Sequence, residues 1–312
     1  MFPPLCIYHS HCPDGFAAAW VVRHAFSGDV EFLPASYGDA PPDVTGRQVF
    51  IVDFSYSRGA LETMVAQAES LTILDHHISA REAITDLPGA ITRFAVGLSG
   101  AMLAWRYFFP DQAAPQLLQH VEDRDLWLFH LEETRAVMAG LLSHPYDFGI
   151  FDFWMSQRSL APLAADGQAI LRQRKRDLDE LLPSVTRPMM IGGHKVPAAN
   201  LPPTMASDAG HILAKHQPFA ATYSDGPDFR KFSLRSSSPG GLDVAAIARL
   251  YGGGGHRHAA GFRIRLEDVP AMESGTISPV LLGWRVKDIG SVIMPKRFRR
   301  ILPLPPVNIP EK

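Results

Sequence analysis

Three stretches of the chain place acids or imidazoles directly after short apolar runs. Ser70-Leu71-Thr72-Ile73-Leu74 ends in Asp75-His76-His77, and Val49-Phe50-Ile51-Val52 ends in Asp53. Leu5-Cys6-Ile7-Tyr8 runs into His9-Ser10-His11-Cys12-Pro13-Asp14-Gly15. Each apolar run reads as a buried strand, and open parallel α/β sheets keep their ligand sites at the carboxyl ends of the strands. Aspartate oxygens suit hard divalent ions, while imidazole shifts preference toward borderline ones. The mixed Asp/His set points to Mn²⁺, with Mg²⁺ or Co²⁺ as further candidates, over structural zinc. Two ions about 3.5–4 Å apart need a bridging carboxylate and several terminal ligands. Asp53, on the middle motif, is the candidate bridge. Asp14 with one of His9 or His11 would complete one side, and His76 with a later aspartate the other. Val121-Glu122-Asp123-Arg124-Asp125-Leu126-Trp127 supplies that aspartate as either Asp123 or Asp125. A lone aspartate after a strand commonly caps the next helix, but a cap uses one side chain, and Asp75-His76-His77 offers three.

These residues need a scaffold that brings strand ends together. Residues 1–130 alternate apolar runs with helical patterns, the arrangement of βαβ units and a parallel sheet. Helices are expected from Gly15 to Val22, from Ser57 to Ala68, and from Ser99 to Trp105, the last stopping at Phe109-Pro110. From about Ala113 to Leu182 the pattern is helical, and Pro183 is expected to end it. Residues 131–185 thus read as a helical connector. Strand-like pieces follow at 189–191, 219–223, 232–235 and 262–266, interleaved with helices near 208–215 and 243–251. This is a second, smaller α/β domain over 186–278. Residues 279–312 are rich in Pro and Arg and read as an extended tail. No internal repeats occur.

A second constellation lies in that smaller domain. In Tyr251-Gly252-Gly253-Gly254-Gly255-His256-Arg257-His258-Ala259-Ala260-Gly261-Phe262, the glycine run lets backbone approach a ligand closely and turn N–H groups toward an anion. A glycine run alone would read as a flexible loop. His256 adds a donor, and Arg235, near a strand end, suits bidentate phosphate recognition.

Taken together, these motifs resemble the DHH phosphoesterase superfamily. Asp75-His76-His77, Asp53 upstream and the His-x-x-Cys-Pro-Asp-Gly segment carry the likeness in the first domain. The Gly-Gly-Gly-His-x-x-Ala-Ala-Gly string is similar to the signature of the DHH-associated C-terminal domain, so the resemblance covers about residues 5–265. That family includes RecJ-like exonucleases, nanoRNase/pAp phosphatases, cyclic-dinucleotide phosphodiesterases and family II pyrophosphatases. The resemblance implies a two-metal, usually Mn²⁺, site that hydrolyses phosphate esters or anhydrides. It implies His9, Asp14, Asp53, His76 and Asp125 as metal ligands, with His11, Cys12 and Asp123 as alternates. Asp125 is favoured because it stands four residues before Phe129, and His9 because it directly ends its apolar run. His77 would face the phosphate, with Asp75 orienting an imidazole. Arg235, Gly253, Gly254, Gly255 and His256 would bind substrate. Members commonly carry Asp-x-Asp-Gly in the first motif, whereas here Cys12 stands at the earlier Asp. Cys12 is then a bystander, a tuner of metal choice, or the mark of a weakened metal position.

The expected activity is hydrolysis of phosphodiester or phosphomonoester bonds in short oligonucleotides or small nucleotides such as pAp and cyclic dinucleotides. A polyphosphate or pyrophosphate hydrolase on the same metal site is one alternative. A nucleotide-binding protein with a degraded site is the other. The glycine signature favours nucleotides, since family II pyrophosphatases carry a different C-terminal domain.

Composition narrows the partners. The 312 residues are 46% hydrophobic and 20% charged, with formal net charge −2, which suits a folded soluble chain and gives no global attraction to duplex DNA or an anionic membrane. Two cysteines make no disulfide framework. The N-terminus lacks signal-peptide features, and no run approaches the ~20 apolar residues that span a bilayer. The expected compartment is the cytoplasm. The basic run Arg172–Arg176 reads as a solvated helix face, and Lys296–Arg300 as a tail that could touch nucleic acid.

Overall fold

The computed structural model describes residues 2–37, 39–237 and 240–274. The expected tail over 279–312, including Lys296–Arg300, lies outside them. The described chain is α/β with two sheets, as the sequence pattern predicts.

The first sheet holds β1 (Leu5–His9), β2 (Glu31–Ala35), β3 (Gln48–Val52), β4 (Ser70–Asp75) and β5 (Ala90–Phe94), all parallel in the order β2-β1-β3-β4-β5. Side chains alternate between faces along each strand. In β3, Val49 and Ile51 enter one apolar layer with Leu61, Met64, Leu71 and Ile73, while Phe50 and Val52 enter the other. That second layer is built from helix Pro13–Ala25, with its small-residue face Ala17-Ala18-Ala19, and helix Gly100–Phe108. Pro13 occupies the first turn of its helix, where its missing N–H costs nothing.

The stretch read as continuous helix divides into Gln116–Asp125, Thr134–Leu141, Phe148–Met155 and Ala161–Val185. Leu117, Val121, Val137, Phe151, Leu163 and Ala164 all bury in the same layer as Phe16 and Trp20. Most of the expected connector therefore packs onto the first sheet. Only the far end of Ala161–Val185 reaches the second body, where Leu178 and Leu182 pack with Ala199, Leu201 and Ala209. Pro183 does not end this helix, which continues to Val185. A proline two residues from the last turn removes only the bond to the carbonyl of residue 179, which is solvent-exposed.

The second sheet is mixed, in the order β10-β11-β9-β8-β7-β6. Its strands are β6 (Thr186–Ile191), β7 (His194–Asn200), β8 (Ala220–Asp225), β9 (Phe229–Arg235), β10 (Gly254–His256) and β11 (Ala259–Arg265). Only β7 and β8 pair in parallel, joined through helix Ala206–Leu213. Helix Val244–Arg249 is capped by Asp243, whose carboxylate accepts from the N–H groups of Ala245 and Ala246. Among the described residues no helix is long and apolar enough to cross a membrane.

The glycine run corrects an expectation. It reads as a loop, but Gly254–His256 is a short strand hydrogen-bonded to β11. A Cβ at Gly253 would run into the Gly261 carbonyl and Phe262, and one at Gly255, where φ is +135°, would lie 2.6 Å from the Ala259 carbonyl oxygen. Gly253 and Gly255 therefore serve strand approach as much as any ligand. Gly254 faces the first sheet, where a Cβ would stand 3.1 Å from that of Ser79.

Candidate metal centre

In a sheet ordered β2-β1-β3-β4-β5, the connections diverge between β1 and β3 and open a crevice at the carboxyl ends of the strands. His9 is the last residue of β1, Asp53 follows β3, and Asp75 is the last residue of β4. Asp53 turns out of its strand in the left-handed region, φ 55°, held by its N–H donating to the Leu74 carbonyl at 2.9 Å. Asp tolerates this conformation better than most residues. Helix Gly100–Phe108 begins against it: a Cβ at Gly100 would sit 2.5 Å from the Asp53 Cβ and 2.7 Å from its Oδ1. The Asp14 carboxylate accepts from the N–H groups of Gly100 (2.6 Å) and Ala101 (3.0 Å), closing the positive end of that helix. Asp14 itself is brought in by Gly15, whose missing Cβ leaves room for the His9 carbonyl.

The side chains converge. His76 Nε2 lies 3.0 Å from Asp53 Oδ1, 3.6 Å from Asp125 Oδ2 and 3.7 Å from Asp14 Oδ2. His9 Nδ1 lies 3.4 Å from Asp53 Oδ2. Among the described residues three triads with metal-ligating spacing result, Asp14-Asp53-His76, His9-Asp53-His77 and His76-His77-His256, and Asp53 belongs to the first two. A carboxylate shared by two adjoining sets is the arrangement a bridging ligand requires. His9 Nδ1, Asp53 Oδ2, His76 Nδ1 and Asp125 Oδ2 are buried without hydrogen-bond partners. Buried polar atoms are otherwise nearly always satisfied, so these donors fit a cation, and their oxygen and nitrogen character fits a hard or borderline divalent one.

The electrostatics agree. Burial and the neighbouring charges of Asp53 and Asp125 push the Asp14 carboxyl well above its usual range. Burial also raises Asp125. Asp53 goes the other way: burial opposes its ionisation, but the hydrogen bond to His76 and the closeness of His9 and His77 hold it well below the usual carboxylate range. Burial disfavours the His76 imidazolium, yet Asp53 and the charges of Asp125 and Asp14 outweigh it and lift its pKa to about 10. Asp14 and Asp125 therefore resist ionisation here unless a further cation stands beside them.

His77 and Asp75 form a separate unit. Asp75 Oδ1 accepts from the N–H groups of His76 (2.7 Å) and His77 (3.1 Å) and lies 2.8 Å from His77 Nδ1. With Nδ1 engaged, Nε2 is left for the cleft that His77 lines. Burial lowers the His77 pKa, but Asp75 beside it raises it overall. From the second sheet, His256 stacks on His77 with centroids 4.7 Å apart and lies 4.9 Å from His76. Burial and these two imidazoles push its pKa down to about 3, so it faces the cluster as a neutral ring.

Both sheets line one cleft of about 740 Å³, which Arg235, Gly253, Gly254, Gly255 and His256 enter from the second. Of the alternates, His11 is exposed at φ 53° and belongs to none of the triads. Asp123 is engaged elsewhere, accepting from Thr134 Oγ1 (2.5 Å) and the N–H groups of His130 (2.8 Å) and Leu131 (3.1 Å). Those bonds hold its carboxyl below the usual range although burial opposes them. Cys12 lines the cleft but joins no triad, and burial together with Asp53, Asp125 and Asp14 keeps its thiol well above the ordinary range. Sequence reading missed Arg124, Trp127, Ser79 and Ser207, which also line the cleft. Arg124 and Trp127 flank Asp125 in the chain, and that adjacency is the signal that could have found them.

No family model matches the chain. It is 26% identical over 278 residues to an uncharacterized protein, R106, of Acanthamoeba polyphaga mimivirus, covering 82% of this chain. The chain spans 66% of that protein's length. Among solved structures it is similar to a pGpG-specific phosphodiesterase, PggH, of Vibrio cholerae, at 14% identity and TM-score 0.48, covering 90% of this chain and 99% of that one. It is likewise similar to RecJ in complex with Mn²⁺ from Thermus thermophilus, at 13% identity and TM-score 0.46, covering 88% of this chain and 51% of that one. Likenesses this distant leave the functional reading to the site's own geometry.

Proposed function

We propose that the protein is a metal-dependent phosphoesterase of the DHH kind, hydrolysing phosphodiester or phosphomonoester bonds of short oligonucleotides or small nucleotides, with Mn²⁺ as the preferred ion. The observation that carries this reading is the pair of triads sharing Asp53, buried beside a cleft that His9, His77 and Asp125 line and whose opposite wall presents Arg235 and His256. Asp14, Asp53, His76 and Asp125 would hold one ion, and His9 and Asp53 the other. Two divalent ions at such a site supply Lewis acidity to a phosphoryl group and its attacking water.

The chain's own groups do the rest. Asp75 engages His77 Nδ1–H and favours the imidazolium, whose Nε2–H can give its proton to the departing ester oxygen. Arg235 offers guanidinium N–H groups to substrate phosphate from a position fixed by Ser207 Oγ (2.8 Å), Ser233 Oγ (2.9 Å) and the Leu234 carbonyl (2.9 Å). His256, held neutral, can hydrogen-bond a phosphoryl oxygen without adding charge. The cleft lies within the range of nucleotide-sized ligand pockets, about 300–1,000 Å³.

The test is a hydrolysis panel with Mn²⁺: 5′-phosphorylated dinucleotides, pAp, cyclic dinucleotides, polyphosphate, pyrophosphate and single-stranded DNA. Turnover of a nucleotide substrate that stops with chelator supports the reading. Turnover of polyphosphate or pyrophosphate alone would replace it, and the absence of any Mn²⁺-dependent turnover would overturn it.

A further inference from the structure

We propose that Arg124 and Arg235, one from each wall of the cleft, together grip a second phosphate of the substrate, apart from the one at the metal cluster. The identity of the ligand as a nucleotide rests on the reading above; the paired cations do not.

Arg124 is the penultimate residue of helix Gln116–Asp125 and lines the cleft. Its guanidinium has neither an ion pair nor a hydrogen bond to any described residue. Across the cleft, Arg235 is locked by three hydrogen bonds to neutral oxygens and has no carboxylate within 4.0 Å. The two are close enough that, after burial, Arg124 is the main influence lowering the Arg235 pKa, to about 10. Arg135, over the Trp127 ring, adds to the same cationic region, and burial keeps the neighbouring His211 neutral. The carboxylates nearest that region are Asp208, already paired with Arg174 at 3.2 Å, and Asp125, which is turned to His76 at 3.6 Å and makes no ion pair with Arg124. Elsewhere on the chain, Arg23, Arg47, Arg58 and Arg230 sit on acids at 2.5–2.9 Å. Two guanidiniums from opposed walls, left without an acid in a partly desolvated cleft, repel each other unless an anion lies between them. A phosphate matches their forked donors.

Trp127 makes the neighbourhood specific. It lines the cleft with φ 58°, a left-handed conformation that a bulky residue adopts only when its surroundings hold it there. Its ring is braced by Phe129 (4.8 Å), His211 (5.6 Å) and the Arg135 guanidinium (5.4 Å). A flat ring beside a cationic pair suits a nucleoside that carries the gripped phosphate. The segment from Arg124 to Trp127 thus presents a metal ligand, Asp125, between a phosphate donor and an aromatic face.

The test reads binding, not turnover. Adenosine 3′,5′-bisphosphate and adenosine 5′-monophosphate are titrated calorimetrically into the full chain in chelator, beside Arg124→Ala and Arg124→Lys. The unmodified protein should bind the bisphosphate about tenfold tighter or more, the effect of one charge-assisted contact. Arg124→Ala should erase that ratio and Arg124→Lys retain part of it, with melting temperatures unchanged because Arg124 has no partner to lose. Equal affinity for the two nucleotides in the unmodified protein, or a full ratio kept by Arg124→Ala, would overturn the inference. Loss of the hydrolytic reading would leave this ratio untouched.

Discussion

On the first sheet's wall of the cleft, Asp14, Asp53, Asp75 and His76 are buried together, and several of their polar atoms lack any partner. On the second sheet's wall, Arg235 is satisfied by hydroxyls and a carbonyl, and β10 lies on β11 through glycines whose missing side chains permit the contact. One wall gathers buried acids that only a cation completes; the other presents an anchored guanidinium and a neutral imidazole. The contrast separates two jobs. Buried unsatisfied acids are costly and make sense where a cation completes them. An anchored guanidinium without an acid makes sense where an anion arrives from solution.

Breaking the first wall should have the largest effect. Asp53→Ala and His76→Ala are each expected to lower Mn²⁺-dependent kcat by roughly a thousandfold, several kcal/mol at 1.36 kcal/mol per tenfold. Steady-state rates at saturating Mn²⁺ check this, and a loss below tenfold for Asp53→Ala would mean the two triads do not work as one site. Breaking the second wall should look different. Arg235→Ala and His256→Ala should cost about 10- to 100-fold in kcat/KM, carried mainly by KM, while the number of Mn²⁺ ions bound per chain stays constant.

The glycines sharpen the same contrast without touching a functional side chain. Gly100→Ala should displace Asp53, and Gly253→Ala should lift β10 from β11, each destabilising by up to about 3 kcal/mol. The first should weaken Mn²⁺ binding and the second should spare it, as calorimetry of both variants would show. The smallest effect is expected at Asp123, whose bonds serve the fold. Asp123→Ala should cost about 1–2 kcal/mol of stability at neutral pH and leave Mn²⁺ binding intact. Its carboxyl is held below the unfolded value of about 3.9, so its contribution is present above that value and lost as the pH falls through the folded one. The variant's stability should therefore fall less steeply in acid than that of the unmodified protein.

Much of the first wall was legible because parallel strands are buried on both faces. Val49–Val52 and Leu71–Leu74 stand out as apolar runs, and whatever follows them must lie at one end of the sheet. Edge strands gave weaker signals: β2 contains Pro34, which only an edge tolerates, and β5 alternates half-buried Ala90, Thr92 and Phe94 with exposed Ile91 and Arg93. Neither reads as a strand on its own. β10 was hidden because glycine disfavours strands, and only the close face of β11 explains it. The choice between Asp123 and Asp125 was settled in space by Thr134 and the His130 and Leu131 N–H groups, which no spacing rule reveals. Arg124 and Trp127 were invisible for a related reason: their meaning depends on Arg235 and His211, more than eighty residues away in the chain.

The most direct test of the central claim, that Asp53 joins two metal positions at the strand ends, is electron paramagnetic resonance of the protein titrated with Mn²⁺. The account predicts two ions per chain giving an exchange-coupled spectrum, and its replacement by the signal of isolated ions, or by no bound signal, in Asp53→Ala. A single uncoupled Mn²⁺ per chain in the unmodified protein, or a coupled spectrum that survives Asp53→Ala, would contradict it.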